Sequence, residues 1–488
     1  MRASPSVRPT HRPVRTDDVR AAGCRTLVDL LRLRIAERPD FQVYRFLPGD
    51  RKPVEAITHR QLELRALGVA ARIAEVTKPG DRVLLLVPPG LDYLAAFFGC
   101  LYAGVIAVPA YPPHPRRPDP RVSAIASDCE PAAALTTKSL LERLESWRGD
   151  DERLRRLRWI AVDDPTEGDV SHARATTASD IAMLQYTSGS TAAPRGVVLT
   201  HANLLHNLSL IRAAYPVAVD DLALSWLPPF HDMGLIGGIL QPMYLGIGSV
   251  LLASATFLQR PLSWLEATST YRATSTAAPN FAFDLCVERI KPEEMRGLDL
   301  SCWHTVFDGA EPIRAETIER FTRAFAPAGF RSDAFFPCYG LAEATLFVAG
   351  GPWGQGASTL DVSRDALEQK RIAPATAGDR LRLVSSGAPA EGQIVRIVDP
   401  ASRAVVEDRR IGEIWVSGES IASRYWRTQD EAEPVFGVTL AADPGRAFLR
   451  TGDLGFLDDG QLFVTGRLKD LIIIGGRNYY PQDLELAA

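Results

Sequence analysis

Residue types that can bind a phosphate group are concentrated between Leu184 and Gly196, where the sequence reads LQYTSGSTAAPRG. An apolar, strand-like run ends in glycine and small hydroxyl residues, and Arg195 follows them. Backbone amides and hydroxyls in such a loop can surround phosphate oxygens. The GxxxxGK[ST] pattern of P-loops is absent, so this loop is not of that kind. On composition alone, a flexible surface loop is an equally good interpretation.

Single residues elsewhere could also do chemistry, but each has an ordinary structural explanation. Glu343 could cap a helix, and Tyr339 could belong to the core. Asp453, beside a glycine, could be a turn residue. Arg467 and Lys469 could be solvated charges, and His231 is as consistent with a buried core histidine as with a site residue.

The elements that must position these residues are short apolar runs alternating with helical patterns. The strand-like runs are DRVLLLVPP (81–89), WIAVDD (159–164), DIAMLQYTSGST (180–191), ALSWLPP (223–229) and TSTAAPN (274–280). Helical patterns such as TLVDLLRLRIAERPD and HANLLHNLSLIRAAY stand between or before them. The alternation predicts an α/β fold with mainly parallel sheets. After about Gly350, short strands separated by turns predict a smaller β-rich subdomain.

Charge and cysteine content favour a small-molecule partner in a reducing environment. The chain has 55 basic and 59 acidic residues among 488, a near-balance that argues against nucleic acid as the main partner. The six cysteines are scattered without a CxxC pair, which argues against a disulfide framework or a zinc site. We expect a cytoplasmic protein.

Two uncharged stretches are long enough to imitate a membrane span, Tyr93 to Pro115 and Met233 to Gln259. Each reads as a buried helix that ends at a glycine, Gly104 or Gly246, and is followed by a buried strand. We therefore expect no stable membrane insertion. The arginine- and proline-rich start of the chain predicts a disordered tail rather than a transit peptide.

Five signatures occur in the order typical of one superfamily. They are TSGSTAAPRGVVLTHANLLHN (187–207), DGAEP (308–312), YGLAEAT (339–345), LRTGDLG (449–455) and GRLKDLIIIGGRNYYPQDLE (466–485). From about Thr26 to its last residue, the chain resembles the adenylate-forming superfamily of acyl-CoA synthetases, peptide-synthetase adenylation domains and luciferases. The sequences of residues 88–113 and 226–246 most resemble those of the fatty acyl-AMP ligase branch.

The resemblance implies a large N-terminal domain of two doubly wound α/β subdomains plus a smaller β-rich subdomain. We expect a disordered tail over 1–22, the large domain over 23–468 with its β-rich part from about 350, and a hinge with the start of a C-terminal lid domain over 469–488. The lid domain itself is expected to be largely absent. Glu343 and Asp453 are 110 positions apart. That length predicts a family-specific insertion near Gly350 to Gly378, which would hinder the domain movement needed for transfer to CoA.

The function implied is ATP-dependent activation of a medium- or long-chain fatty acid to acyl-AMP, with release of pyrophosphate. The acyl group would pass to the phosphopantetheine thiol of an acyl carrier protein in lipid, polyketide or lipopeptide biosynthesis. Without the lid and its lysine, adenylation is expected to be slow. The alternatives are a fatty acid–CoA ligase and a catalytically silent acyl-nucleotide-binding fragment.

The resemblance also assigns roles to residues. The ATP phosphates would contact Thr187, Ser188, Gly189, Ser190, Thr191 and Arg195, the last standing where the family usually has lysine. Tyr339 would stack on adenine, with Gly309, Ala310, Glu311 and Gly340 around it. Asp453 would bind the ribose hydroxyls, a task suited to a charged acceptor.

The remaining roles concern the metal, the hinge and the acyl group. Glu343 would hold Mg²⁺, a hard cation that prefers carboxylate oxygen. Arg467 would contact the ribose and phosphate, and Lys469 would be the hinge. His231 would lie near the reacting carboxylate, and the acyl tunnel would be lined by His231, Met233, Gly234, Ile236 and Gly237.

Overall fold

The structure is a computed structural model. It describes residues 19, 23–49, 53–112, 120–148, 151–164, 169, 171, 173–187, 194–376, 378–427, 434–470, 472–474 and 477–479. The statements below concern these residues.

The strands, numbered along the chain, are β1 (Gln42–Leu47), β2 (Glu55–Thr58), β3 (Arg82–Leu85), β4 (Ile106–Pro109), β5 (Ala133–Thr136), β6 (Arg158–Ala161), β7 (Ile181–Thr187), β8 (Arg195–Thr200), β9 (Leu222–Ser225), β10 (Gly248–Leu252), β11 (Ser275–Ala278), β12 (Thr305–Asp308), β13 (Phe335–Gly340), β14 (Phe347–Gly350), β15 (Thr359–Ser363), β16 (Arg380–Val384), β17 (Ala388–Pro389), β18 (Ile394–Val398), β19 (Gly412–Ser417), β20 (Val438–Leu440), β21 (Asp443–Asp458), β22 (Gln461–Arg467), β23 (Ile472–Ile474) and β24 (Arg477–Tyr479).

The α-helices are α1 (Leu27–Glu37), α2 (His59–Ala74), α3 (Leu91–Ala103), α4 (Pro120–Cys129), α5 (Lys138–Arg148), α6 (Glu152–Arg156), α7 (His201–Ala214), α8 (Gln241–Leu245), α9 (Ser254–Gln259), α10 (Leu262–Tyr271), α11 (Asn280–Arg289), α12 (Ala315–Phe325) and α13 (Arg364–Glu368). A π-helix spans Met233–Leu240, and 3₁₀ turns span Pro292–Met295, Ala326–Ala328, Ser332–Ala334, Ala342–Ala344 and Leu468–Asp470.

The first large sheet has six strands in the order β6-β5-β3-β4-β7-β8. All neighbours are parallel except β7 and β8. Successive residues of β3 face two different cores, since Val83 and Leu85 belong to one buried cluster and Leu84 to another. A parallel sheet that is covered on both faces reads as a continuous apolar run, which explains the sequence DRVLLLVPP.

The second large sheet has nine strands in the order β17-β14-β13-β12-β11-β9-β10-β1-β2. Its centre is parallel, and antiparallel strands stand at both ends: β2 at one, β14 and β17 at the other. The chain passes from β9 to β10 on one side and continues with β11 on the other side of β9. The strand order therefore reverses at β9.

A third, antiparallel sheet has the order β18-β19-β21-β20, with β22 paired to β21. The hairpin of β15 and β16, together with α13, packs on it through Leu367, Ile411 and Phe456. The β-rich part thus contains these strands, while β17 extends the nine-stranded sheet instead.

Helix α3 joins the two large sheets into one body. Every residue of LDYLAAFFGCLYA except Asp92 is buried, because the helix packs among elements of both subdomains. A helix that is apolar on all sides belongs in a core. The cluster around Phe97 includes Val83 of the six-stranded sheet and Val43 of the nine-stranded sheet.

Both apolar stretches that could imitate membrane spans are helix-to-strand units, as predicted. Helix α3 ends at Gly104 before β4, and α8 ends at Gly246 before β10. Among the described residues, no helix combines the length and the apolar character that crossing a bilayer requires. All six cysteines are free thiols.

Candidate active site

The candidate residues collect where the central strands of the nine-stranded sheet end. In open α/β sheets, ligands bind beyond the carboxyl ends of strands where the strand order reverses, which here is at β9. Gly309 and Ala310 directly follow β12, the second strand from β9, and Tyr339 and Gly340 end β13, the third strand from β9. The fold therefore brings DGAEP and YGLAEAT to the same edge.

The backbone at this edge is held in unusual conformations. Ala310 has φ +68°, a left-handed conformation that costs energy for a residue with a Cβ atom. A Cβ atom on Gly340 would lie 1.7 Å from the Leu346 carbonyl oxygen, so only glycine allows this close approach. Strained backbone persists only where the surrounding structure holds it in place, and such residues cluster at functional sites.

An apolar cavity of about 100 Å³ runs back from this edge under the sheet. Ala310, Tyr339 and Asp232 line one end of it. Ala223 and Ser275, paired at the beginnings of β9 and β11, lie at the other end, and further apolar lining comes from Ile211, Tyr215, Leu245, Ile247 and Phe307. The lining is thus mostly apolar, with Asp232 and Tyr339 at one end and a few further polar side chains along it, an arrangement suited to a site that holds an apolar chain by its polar end.

The π-helix Met233–Leu240 forms one wall of the cavity. Met233, Gly237 and Gln241 recur at four-residue intervals and all line it. Gly234 and Ile236, both predicted to line the tunnel, lie off this face, because the helix turns them away. Ile236 is fully buried in the core shared with α3, and Gly234 lies beside a smaller second pocket.

Two residues precede the π-helix, and of these Asp232 lines the cavity whereas His231, also predicted to line the tunnel, does not. His231 is exposed, and its ring lies 5.1 Å from the ring of Phe230. Asp232 accepts a hydrogen bond from the backbone amide of Met233 at 2.6 Å and lines the cavity. Burial raises the pKa of Asp232. The sequence analysis selected His231 but not Asp232, although the two residues are adjacent in the sequence.

Asp453 connects the predicted adenine and ribose residues. The Tyr339 hydroxyl donates to Asp453 Oδ2 at 2.7 Å, and Arg467 Nε donates to Oδ1 at 3.2 Å. Asp453 and Arg467 are directly opposite each other in the β21–β22 ladder. Burial raises the pKa of Asp453, and Arg467 acts in the opposite direction. The structure therefore brings all three residues together.

Glu343 lies in the 3₁₀ turn Ala342–Ala344, close to the phosphate-binding segment. The Tyr425 hydroxyl donates to Glu343 Oε1 at 2.7 Å. The Arg195 guanidinium lies over the Tyr425 ring at 4.5 Å from its centroid. Tyr425 therefore stands between the predicted metal residue and the predicted phosphate residue, a role for which the sequence carries no local signal.

The phosphate-binding segment is described at its two ends. Thr187 ends β7 and pairs with Arg195, the first residue of β8. The predicted phosphate residues Ser188, Gly189, Ser190 and Thr191 lie outside the described residues.

Two further predicted residues occupy peripheral positions. Glu311 accepts a hydrogen bond from the backbone amide of Phe281 at 2.5 Å, so it caps the start of α11, and burial raises its pKa. Lys469 is exposed in the 3₁₀ turn Leu468–Asp470 that follows β22.

Comparison with known proteins identifies the family. The family model described as "AMP-binding enzyme" matches residues 31–426. The chain belongs to the AMP-binding enzymes. This membership confirms the superfamily inferred from the five ordered signatures.

Relatives of this AMP-binding enzyme include a medium-chain-fatty-acid–[acyl-carrier-protein] ligase, JamA, of Moorena producens. It is 43% identical over 94% of this chain and 80% of its own length. A long-chain-fatty-acid–AMP ligase, FadD26, of Mycobacterium marinum is 38% identical over 94% and 82%. A crystal structure of a fatty acyl-adenylate ligase from L. pneumophila, with acyl adenylate and pyrophosphate, superposes with a TM-score of 0.85 at 43% identity, covering 96% and 81%. The predicted resemblance to the fatty acyl-AMP ligase branch and the predicted α/β architecture are both confirmed.

Proposed function

We propose that this protein joins a medium- or long-chain fatty acid to AMP and passes the acyl group to an acyl carrier protein. In the first step a carboxylate oxygen of the fatty acid attacks the α-phosphorus of ATP, and the bond to the β-phosphate breaks, releasing pyrophosphate. In the second step a phosphopantetheine thiol attacks the acyl carbon and AMP leaves. The observation that carries the proposal is the apolar cavity that opens beside Ala310, Tyr339 and Asp232.

The cavity suits an acyl chain better than a polar or aromatic acid. Its lining is mostly aliphatic and aromatic, and Tyr215 and Phe307 meet edge to face there, with ring centroids 5.3 Å apart. Each methylene buried contributes about 0.8 kcal/mol to binding. The relatives from Moorena and Mycobacterium, both fatty-acid ligases by name, support the same substrate class.

At the mouth of the cavity the residues present serve the nucleotide. Asp453, held by Tyr339 and Arg467, offers a carboxylate to the ribose hydroxyls. Arg195, the first residue of β8, would supply positive charge to the phosphates. Adenylation concentrates negative charge in the transition state, so fixed positive charge and amide donors accelerate it more than a protein nucleophile would.

The half-buried carboxylate of Glu343 is a suitable ligand for Mg²⁺. A Mg²⁺ ion is commonly held by one or two carboxylates together with substrate phosphates, and the described part of the chain has no cluster of three metal-ligating side chains. When bound, the ion would neutralise phosphate charge. Tyr425 holds the Glu343 carboxylate in one orientation by its hydrogen bond.

The acceptor is proposed from the relative named as an acyl-carrier-protein ligase. Transfer to CoA is the competing outcome. Incubating the protein with ATP, Mg²⁺, a fatty acid and either phosphopantetheinylated carrier protein or CoA distinguishes them. Acyl-carrier product without acyl-CoA supports the proposal, whereas acyl-CoA as the main product contradicts it.

The acyl-adenylate site itself can be tested without turnover. We would measure the thermal shift of the protein with a non-reactive acyl-adenylate mimic carrying a medium-length tail, and with the same mimic lacking the tail. A ligand at a hundred times its dissociation constant adds about 2.7 kcal/mol of stability. Stabilisation by the tailed mimic alone supports the fatty acyl site, and no stabilisation by either refutes it.

A further inference from the structure

Gln241 is a buried amide in the wall of the apolar cavity. It follows the π-helix as the first residue of α8, lines the cavity and is 3% exposed. Neither Nε2 nor Oε1 of its side chain has a hydrogen-bond partner among the described residues. Most buried polar side-chain atoms in proteins are paired, so an amide unpaired at both ends calls for a specific reason.

Neighbouring polar side chains in the same wall do have partners. The Ser225 hydroxyl accepts from the backbone amide of Leu227 at 3.3 Å. Thr276 Oγ1 accepts from Trp264 Nε1 at 3.2 Å. These residues can be accommodated as ordinary parts of the fold, whereas Gln241 cannot be explained in this way.

The energetics favour a ligand with a polar group at this depth. Leaving a buried donor or acceptor unsatisfied costs about 1–3 kcal/mol, a cost that a plain hydrocarbon chain cannot recover. A site built to hydrogen-bond a hydroxyl discriminates strongly against the analogue lacking it. A glutamine amide can both donate to and accept from a hydroxyl, and it can donate to an oxo group.

The position of Gln241 specifies where on the chain that group would be. Met233 lies at the mouth, and Gln241 lies two helical turns further in. Eight residues at the α-helical rise of 1.5 Å correspond to about 12 Å, an upper value because a π-helix is more compressed. The polar group would therefore be in the middle of the acyl chain and not next to the carboxylate.

We propose that Gln241 recognises a hydroxyl or oxo group in the middle of the acyl chain, so that the substrate class is oxygenated fatty acids. This inference rests on the proposed function, because it assumes that the cavity holds the acyl chain. It goes beyond that function by assigning a polar subsite within the tunnel.

The experiment compares two non-reactive acyl-adenylate mimics of equal chain length, one unsubstituted and one with a mid-chain hydroxyl. Their dissociation constants are measured by calorimetry on the wild-type chain and on Gln241→Leu, which removes the amide at similar volume. Leu245→Met, in the same wall, is the control for a change of shape without a change of polarity.

We expect the wild type to bind the hydroxylated mimic about tenfold more tightly than the plain one. In Gln241→Leu the preference should be reversed, and in Leu245→Met it should persist. Equal affinities in the wild type, a preference for the plain mimic, or a preference that survives Gln241→Leu would overturn the inference while leaving the fatty acyl site intact. If neither mimic binds the wild type, the proposed function fails and the inference fails with it.

Discussion

At the scale of single residues, the contact between Tyr425 and Glu343 stands out because it joins parts of the chain 82 positions apart. Tyr425 is buried, and its hydroxyl donates a hydrogen bond to the Glu343 carboxylate. Its ring makes a cation–π contact with the Arg195 guanidinium. Backbone contacts strengthen the arrangement, since the Ala422 amide donates to the Glu343 carbonyl at 2.8 Å. Tyr425 is therefore a positioning residue for Glu343.

Replacing Tyr425 by phenylalanine should weaken the contribution of Mg²⁺ to ATP binding. The variant loses a hydrogen bond to a charged group, worth about 1.5–3 kcal/mol, so Glu343 is free to rotate. In the wild type, Mg²⁺ should increase the affinity for ATP by a certain factor, and we expect this factor to be about tenfold smaller in the variant. The affinity for metal-free ATP should be unchanged. Calorimetric titration with and without EDTA measures both.

Tyr102→Phe is the matched control for this substitution, because the Tyr102 hydroxyl donates to another glutamate, Glu63 Oε1, at 2.8 Å between α3 and α2. It should leave the effect of Mg²⁺ unchanged. An equal loss in both variants would mean that Tyr425 acts through general stability alone.

His201 should make the protein sensitive to mild acid. The residue is buried, its Nδ1 accepts a hydrogen bond from the Leu27 amide at 3.2 Å, and burial lowers its pKa from 6.5 to about 4. Between these values the unfolded chain binds the proton more readily, so stability decreases as pH falls from about 6.5 to 4. The difference corresponds to about 3 kcal/mol. Urea unfolding across this pH range measures it.

The variant His201→Asn keeps an acceptor near the Leu27 amide but cannot be protonated. We expect its unfolding free energy to decline less steeply below pH 6.5 than that of the wild type. Parallel curves for the two proteins would assign the acid sensitivity to other groups.

At the scale of elements, the π-helix sets the depth of the cavity through Gly237. A Cβ atom there would make only an ordinary contact, 3.6 Å from Leu346 Cδ2, so larger side chains can extend into the cavity. Gly237→Val should displace about two methylenes of a bound chain and, at about 0.8 kcal/mol each, weaken a long-tailed adenylate mimic about tenfold relative to a short-tailed one. Calorimetry with the two mimics gives this ratio.

Gly234, three residues earlier in the π-helix, provides the contrast. A Cβ atom on Gly234 would lie 2.1 Å from the Pro228 carbonyl oxygen, so Gly234→Ala should lower the melting temperature without changing chain-length preference. A selectivity change in Gly234→Ala and none in Gly237→Val would mean that the acyl chain follows another route.

The elements themselves could largely be predicted from the sequence, because strands buried on both faces and helices ended by glycine leave strong local patterns. The runs that became β3, β7, β9 and β11 were all identified in this way. The π-helix was not, since its extra residue per turn is a response to packing and leaves no distinct composition. The structure places Gln241 in the wall of the cavity and Gly234 and Ile236 away from it.

The site could be predicted only as far as its motifs extend. Asp453, Tyr339 and Arg467 were identified by resemblance and do lie in contact. Tyr425 and Asp232 were missed because their significance arises from contacts that folding creates. A burial-raised pKa, such as that of Asp232, depends on the surrounding elements and cannot be recognised in a single segment.

At the scale of the whole molecule, the two large sheets share one hydrophobic core. The cluster around Phe97 of α3 contains residues of both sheets, and the Tyr44 hydroxyl on β1 donates to the Ile239 carbonyl of the π-helix at 2.9 Å. Neither sheet can expose this cluster without disturbing the other. The two α/β subdomains should therefore unfold together, as structures that share one core do.

Phe97→Ala tests this coupling. Truncating a fully buried phenylalanine costs about 3–5 kcal/mol, and Leu64→Ala on the exposed side of α2 serves as the control with little effect. We expect Phe97→Ala to lower the free energy of unfolding by the same amount in both subdomains. Hydrogen exchange of the backbone amides of β3 and of β12 measures the two values separately. If only one subdomain became less protected, the two would be independent units and the acyl cavity would depend on the nine-stranded sheet alone.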